Sequence, residues 1–294
     1  MRTLALFLFA TALAAQDPVD FSGWMQRGLN AFHAARYPAA VVAFERAVAI
    51  DPSNANAELY LATAHMQQFV PGVESPENAR LAEAARTHFR RVLDLDRSNA
   101  IALASIASLF LNQKKWDDAL QWYEKLVAVE PNNADAYYSM GFAAWSKCYP
   151  AYGKARANLG MRQEDPGPIK DAAVRANLAA RYGPVIERGL RALDKALKIN
   201  PQYDEAMAYM NLLIRERADL RNTAEEYKRD VATADGWATK ALAAKKAKGG
   251  GGGGSGSGRI VYSPTAEAAH PRRITVGGNV SPSTQVRWVL SVPG

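Results

Sequence analysis

Histidine, cysteine and carboxylate side chains are the residues of this sequence that could bind a metal or carry acid–base and nucleophilic chemistry. The histidines are His33, His65, His88 and His270, and no two of them, nor any of them with Cys148, are four residues apart. The ligand spacing of zinc sites is therefore missing. The sequence also contains no glycine-rich loop ending in the Gly-Lys-Ser/Thr of a phosphate-binding loop. We predict a non-enzymatic protein with no cofactor and no metal site.

The remaining reactive groups have structural interpretations. Asp51, Asp96 and Glu130 each lie in a short turn after an apolar run, so we expect them to cap helices or face solvent instead of forming an acid–base pair. Cys148 follows an apolar helical pattern, which favours a buried and unreactive thiol. A single cysteine cannot form an internal disulfide, so packing must stabilise the fold.

Positive charge is concentrated at the end of the chain. The 36 Lys and Arg residues exceed the 29 Asp and Glu residues by seven. Residues 245–294 hold seven of those basic residues and only one acidic residue, Glu267, which leaves +1 for the rest of the chain. A nearly neutral body lacks the basic stripe that nucleic acids require, so we expect no nucleic-acid partner. Weak contact of the basic tail with an anionic membrane is an alternative.

Residues 1–15 have the pattern of a signal peptide. Arg2 precedes an apolar run from Leu4 to Ala15, and Ala12-Leu13-Ala14 forms a small-x-small cleavage site. Twelve apolar residues are too few to span a bilayer core of about 30 Å. We expect cleavage near Ala14/Ala15, a periplasmic or secreted protein, and no transmembrane segment in the mature chain. A buried N-terminal helix is the alternative.

The body of the chain repeats one closing phrase. Its copies are Val48–Asn54, Leu93–Asn99, Val127–Asn133 and Leu197–Pro201. The Pro or Arg of one phrase lies 45, 34 and 70 residues before that of the next phrase. The first separation is one unit of 34 residues plus 11, the second is one unit of 34, and the third is two units of 35. A unit of about 34 residues with two helical patterns indicates an array of helix pairs.

The residues within each unit agree with this pattern. In the third unit, Leu103, Ile106, Ala107 and Phe110 share one helical face, and Trp116, Ala119, Leu120, Tyr123 and Leu126 share the face that packs back on it. In the first unit, Gly28 and Ala40 are small where two helices must approach closely. The spacing, the small positions and the terminal proline resemble the tetratricopeptide-repeat family over residues 21–246. The resemblance implies an all-α fold, a right-handed α-solenoid of about five to six helix pairs.

The repeat register predicts units at about 21–54, 55–99, 100–133, 134–167, 168–203 and 204–246. The second unit carries about 11 extra residues in a loop around Phe69–Pro76. Residues 148–183 are either an insertion or part of a degenerate repeat, and the register of Asp165-Pro166 favours the degenerate repeat. The last unit should form helices over Asp204–Arg217 and Thr223–Lys246, with Thr223 and Glu226 as a capping box.

In this family, the first helices of successive units line a concave groove that receives a protein or peptide. Mapping the inward positions onto this sequence gives a largely apolar, aromatic groove, although individual members could instead belong to the core between repeats. The candidates are Met25, Leu29, Phe32, Leu59, Thr63, Met66, Ser108, Leu111, Asn112, Tyr138, Phe142 and Trp145. The Lys and Asn positions with which some family members grip a C-terminal carboxylate hold other residues here, so we do not expect an adaptor of that type.

The end of the chain has a different composition. Residues 247–258 read as a Gly/Ser linker and residues 259–294 as a disordered or vestigial β tail. The segment Arg273–Val280 resembles the start of a TonB-type C-terminal domain of bacterial envelope proteins.

These observations predict a non-enzymatic scaffold in the periplasm whose concave groove binds another envelope protein or a peptide. The TonB resemblance implies an alternative, a truncated energy-transducer component with the repeats as a spacer. A carrier for small apolar ligands is a third possibility.

Overall fold

The computed structural model describes residues 20–162 and 165–249, which form helices, turns and loops but no strand. The helices are α1 (Phe21–His33), α2 (Tyr37–Ile50), α3 (Ala55–Gln68), α4 (Pro76–Leu95), α5 (Ala100–Asn112), α6 (Trp116–Val129), α7 (Ala134–Asn158), α8 (Ala172–Ile199), α9 (Asp204–Asp219) and α10 (Ala224–Gly249). Each odd-numbered helix packs against the next, so the described residues form five helix pairs. The predicted all-α fold of repeated helix pairs is confirmed.

The closing phrases start the next helix through asparagine caps. The side-chain Oδ1 of Asn54, Asn99 and Asn133 each accepts a hydrogen bond from the backbone N–H three residues later, over 3.1, 3.1 and 2.9 Å. Such caps satisfy backbone donors that the first helical turn leaves unpaired. Asp51 Oδ1 accepts from the backbone N–H of Ser53, and Glu130 Oε2 accepts from Asn133 Nδ2. The structural roles predicted for these two carboxylates are confirmed.

The described chain divides into two compact units. The first contains residues 20–69 and 75–96, with α1–α4, and the second contains residues 70–74 and 97–249, with α5–α10. From here on, "first unit" and "second unit" mean these two compact units and not sequence repeats. In the first unit, a Cβ added to Gly28 would lie 2.3 Å from Cε1 of the buried Phe44. This close approach of α1 and α2 is the one that the sequence predicts.

Helices α7 and α8 differ from the predicted division into repeats. They contain 25 and 28 residues and pack against each other as one long pair. The ranges 134–167 and 168–203 therefore contribute one helix each to a single pair. The repeat register instead predicts a degenerate repeat over the first range and a further repeat over the second. The extra turns are held by apolar residues that continue the helical period and are buried in one cluster, among them Cys148, Tyr152, Leu178 and Tyr182.

A buried ion pair holds the connection between these two helices. Arg156 donates from Nε and Nη2 to the two carboxylate oxygens of Asp219, over 2.9 and 2.5 Å, and the side chains are 2% and 0% exposed. Arg156 also donates to the backbone carbonyls of Arg162, Asp165 and Gly167. The Asp165-Pro166 phrase thus lies in an anchored connection and does not close a repeat.

The last pair begins as predicted. The backbone N–H of Glu226 donates to Thr223 Oγ1 over 3.2 Å, and that of Thr223 donates to Glu226 Oε2 over 3.3 Å. This reciprocal pair is the predicted capping box. The predicted signal peptide, the linker from residue 250 onward and the TonB-like segment lie outside the described residues. Among the helices of the described residues, none combines the length and apolar character needed to span a bilayer.

Candidate functional site

Six of the predicted groove residues belong to the first unit, where they are buried or half-buried. Met25, Leu29 and Phe32 of α1 are half-buried against the core formed by α1, α2 and α3. Leu59 and Thr63 of α3 are each 8% exposed, and Thr63 Oγ1 donates to the backbone carbonyl of Leu59 over 2.7 Å. Met66 is half-buried. Leu59 and Thr63 therefore offer little surface to a partner.

The predicted groove residues of α5, in the second unit, are all half-buried, namely Ser108, Leu111 and Asn112. Asn112 Nδ2 donates to Ser108 Oγ over 3.4 Å, and Leu111 lies between them in sequence. Their hydrogen-bonding groups are thus partly used within the helix.

The three aromatic candidates on α7 meet at a single residue of α9. The ring centroids of Tyr138, Phe142 and Trp145 lie 5.7, 5.3 and 5.6 Å from that of Tyr209, in edge-on geometry. Edge-on aromatic pairs in this range are favourable beyond the area that they bury. The structure therefore brings together the predicted α7 residues and adds Tyr209.

Further rings extend this cluster along both helices. Tyr203, at the start of α9, lies 5.1 Å from Tyr138, and Tyr149 stacks on Trp145 at 4.8 Å. We call the six residues together the aromatic face: Tyr138, Phe142, Trp145, Tyr149, Tyr203 and Tyr209. All six are half-buried, and four of them pack on the core of the second unit. The face therefore both stabilises the α7–α9 contact and presents ring surface.

Carboxylates surround the end of the aromatic face where α7 and α9 begin. Burial raises the pKa of the Tyr138 phenol, and the neighbouring Tyr209, Glu205, Asp135 and Asp204 raise it further. Lys248 of α10 pairs with Asp204, and its Nζ is 3.7 Å from Glu205 Oε2. Burial, together with a hydrogen bond to Asp204, raises the pKa of Glu205. We call Asp135, Asp204 and Glu205 the acidic rim.

One polar group within the aromatic face lacks a partner. The indole Nε1 of Trp145 is buried and has no hydrogen-bond acceptor among the described residues. A buried donor without an acceptor costs about 1–3 kcal/mol.

One feature of the sequence sets Tyr203 apart from the repeat pattern. Three closing phrases end in the asparagine that caps the next helix, but the fourth, Asn200-Pro201-Gln202-Tyr203, ends in tyrosine. The α9 N-terminus accordingly has no side-chain cap. Tyr203 instead donates from its hydroxyl to Asp135 Oδ1 over 2.7 Å. The mapping of inward positions does not select Tyr209, which lies one residue after the equivalent position, Ala208.

The thiol of Cys148 is fully buried, as the sequence predicts. Burial raises its pKa to about 12, and nearby Glu216 adds to the effect. Such a thiol carries almost no thiolate at neutral pH and is unreactive.

Two histidines that are far apart in sequence meet in the first unit. The rings of His65 and His88 stack with centroids 5.7 Å apart, and His88 Nδ1 lies 2.7 Å from Oε2 of the buried Glu58. Within residues 20–162 and 165–249, no set of three or more His, Cys, Asp or Glu side chains is placed to hold a metal ion.

Comparison with known proteins identifies the repeats. A family model described as "Tetratricopeptide repeat" matches residues 3–68, and one described as "TPR repeat" matches residues 107–147. The first match begins inside the segment predicted as a signal peptide. No curated protein matches the sequence.

Solved structures of MamA share the fold. A crystal structure of MamA protein is 17% identical over 79% of this chain and 94% of its own, with a TM-score of 0.51. A MamA fragment from Desulfovibrio magneticus RS-1, from residue 41 to its end, is 16% identical over 79% of this chain and 99% of its own, also with a TM-score of 0.51. At these identities the likeness concerns the fold alone. The family models show tetratricopeptide repeats over the residues that they match.

Proposed function

We propose that this tetratricopeptide-repeat chain is a non-catalytic scaffold that binds a protein or peptide segment on the aromatic face of α7 and α9. The observation that carries the proposal is the convergence of Tyr138, Phe142 and Trp145 on Tyr209. These residues lie on the first helices of their pairs, which are the helices that line the binding groove in the family.

The chemistry of the face suits a peptide ligand. Partly exposed Tyr, Trp and Phe rings give a large contact area with few rotatable bonds, and such residues dominate the energetics of protein interfaces. The acidic rim at one end adds a preference for basic residues.

The test is a selection of peptides followed by mapping of their binding site. A phage-displayed library of random peptides is panned on the full chain, and hydrogen exchange is measured with and without an enriched peptide. We expect enrichment and slower exchange in α7 and α9. Absence of enrichment, or protection confined to α1–α4, would overturn the proposal.

We also propose that the protein acts outside the cytoplasm, in the periplasm or after secretion. The support is the pattern of a short basic start, an apolar run and a small-x-small site in residues 1–15. The intact mass of the protein purified from the envelope of its host tests this. A chain that starts near Ala15 or Gln16 supports export, and a chain that retains Met1 would contradict it and favour the repeat match that starts at residue 3.

A further inference from the structure

The basic tail of the chain begins beside the aromatic face. Helix α10 ends at Gly249, and the preceding residue, Lys248, contacts Asp204 and Glu205 at the start of α9. Tyr203, the neighbour of Asp204, is in ring contact with Tyr138. The chain beyond residue 249 therefore starts at the acidic end of the aromatic face.

The composition of the tail complements this surface. Residues 250–294 contain four arginines and one acidic residue, together with two aromatic residues. Guanidinium groups bind carboxylates in bidentate geometry and stack on aromatic rings. Asp135 and Glu205 of the acidic rim are exposed, so a guanidinium group can approach them beside their existing contacts with Tyr203 and Lys248.

The connection between the two is short. Gly249–Gly258 is a run of ten residues made only of Gly and Ser. A chain of that length and composition has a root-mean-square span of about 16–19 Å. A ligand tethered in this way reaches an effective concentration of about 1 mM at a neighbouring site. Even a weak intrinsic affinity would then keep the site occupied.

We propose that the arginine-bearing segment 259–287 binds the aromatic face and acidic rim of its own chain, so that an external partner must displace it. The regulatory consequence rests on the proposed function, since it concerns the same surface. Binding in cis does not require that an external partner exists.

A competition experiment on the full chain tests this inference. The probe is a fluorescein-labelled synthetic peptide of residues 258–294, and its binding is followed by fluorescence anisotropy. The wild type is compared with R259S/R272S/R273S/R287S, a variant in which serines replace the four tail arginines only. We call this variant the arginine-free chain. For an intrinsic Kd of about 0.1 mM, we expect the arginine-free chain to bind the probe about tenfold more tightly than the wild type, because the native tail competes in cis.

A third variant tests where the probe binds. Asp135→Asn and Glu205→Gln, added to the arginine-free chain, should abolish probe binding while the helical circular dichroism and its melting curve stay unchanged. The Asn side chain can still accept the hydrogen bond from Tyr203, so the packing of α9 is retained. Probe binding that persists in this variant would overturn the proposed site.

The remaining outcomes separate the two proposals. Equal probe binding by the wild type and the arginine-free chain, or none by the latter, would refute binding in cis. If peptides enriched by panning still bind α7 and α9 in that case, the scaffold function stands. If the probe binds but no foreign peptide binds even the arginine-free chain, the face is an internal interface and the scaffold function on this surface is wrong.

Discussion

The Tyr203 hydroxyl donates a 2.7 Å hydrogen bond to Asp135 Oδ1 and so joins the start of α9 to the first turn of α7. In the other closing phrases, this position holds an asparagine that caps the next helix. The last phrase therefore exchanges a local cap for a contact between two helix pairs. Departures of this kind from a local rule are expected at functional sites.

Replacing Tyr203 with Asn should separate stability from binding. The new side chain restores a cap worth about 0.5–2 kcal/mol, and the lost hydrogen bond and ring contact are worth about as much. We expect the free energy of unfolding to change by less than about 1 kcal/mol. Affinity for a panned peptide should fall about tenfold, which corresponds to about 1.4 kcal/mol. Tyr203→Phe is the control that retains the ring, and full affinity in Tyr203→Asn would exclude Tyr203 from the binding surface.

The Arg156–Asp219 pair should be essential to the long α7–α8 pair. Arg156→Met leaves a buried carboxylate and three loop carbonyls without their donor, which should cost about 3–5 kcal/mol in urea unfolding. The double variant Arg156→Met/Asp219→Leu should recover part of this loss, because it also removes the buried carboxylate that has lost its arginine. Arg80→Met breaks a pair with Glu77 whose side chains are 74% and 68% exposed and should cost about 0–1 kcal/mol. Similar losses in both single variants would contradict the structural role of the buried pair.

Two glycine-to-alanine changes should have opposite signs. Gly28→Ala places a methyl group 2.3 Å from the buried Phe44 ring and should destabilise the protein by about 1–3 kcal/mol. Gly236 lies in the interior of α10 with nothing within 4 Å of an added Cβ. Gly236→Ala should therefore stabilise the protein by about 0.5–1 kcal/mol through helix propensity alone. Thermal melts of the two variants measure both changes, and a stabilising Gly28→Ala would show that α1 and α2 are farther apart.

Acid should weaken the first unit through His65. Burial, and then the neighbouring His88, lower the pKa of His65 below its ordinary value. In the unfolded chain, His65 binds a proton near about pH 6.5, whereas in the folded protein it does so only at lower pH. The free energy of unfolding therefore falls as the pH decreases below about 6.5. His65→Gln should flatten the dependence of the urea midpoint between pH 7 and pH 5. His33→Gln, at an exposed position, is the control for the chemical change from histidine to glutamine, and an unchanged slope in His65→Gln would rule out this contribution.

The features that the sequence predicts well are local. Each closing phrase contains both the residues that end one helix and the asparagine that caps the next, so the helix starts at residues 55, 100 and 134 follow from a few adjacent residues. The Thr223–Glu226 capping box is local in the same sense. The approach of Gly28 to Phe44 follows from small and large residues at fixed positions within one helix pair.

The features that the sequence did not predict depend on distant residues. Arg156 and Asp219 are 63 positions apart, and their pairing anchors residues 159–162 and 165–171 between α7 and α8, where the repeat register predicts a boundary. His65 and His88 meet only because α3 packs on α4. Tyr209 joins the aromatic face because α9 packs on α7, which no periodicity within a single helix reveals.

A pair of matched substitutions decides whether the aromatic face is the binding surface. Phe142 and Phe32 are both predicted groove residues and both half-buried, but only Phe142 lies in the aromatic face. Calorimetric titration with a panned peptide should give at least about a tenfold weaker Kd for Phe142→Leu, and a Kd within about twofold of the wild type for Phe32→Leu. Equal losses in the two variants, or a loss only in Phe32→Leu, would show that the partner binds elsewhere.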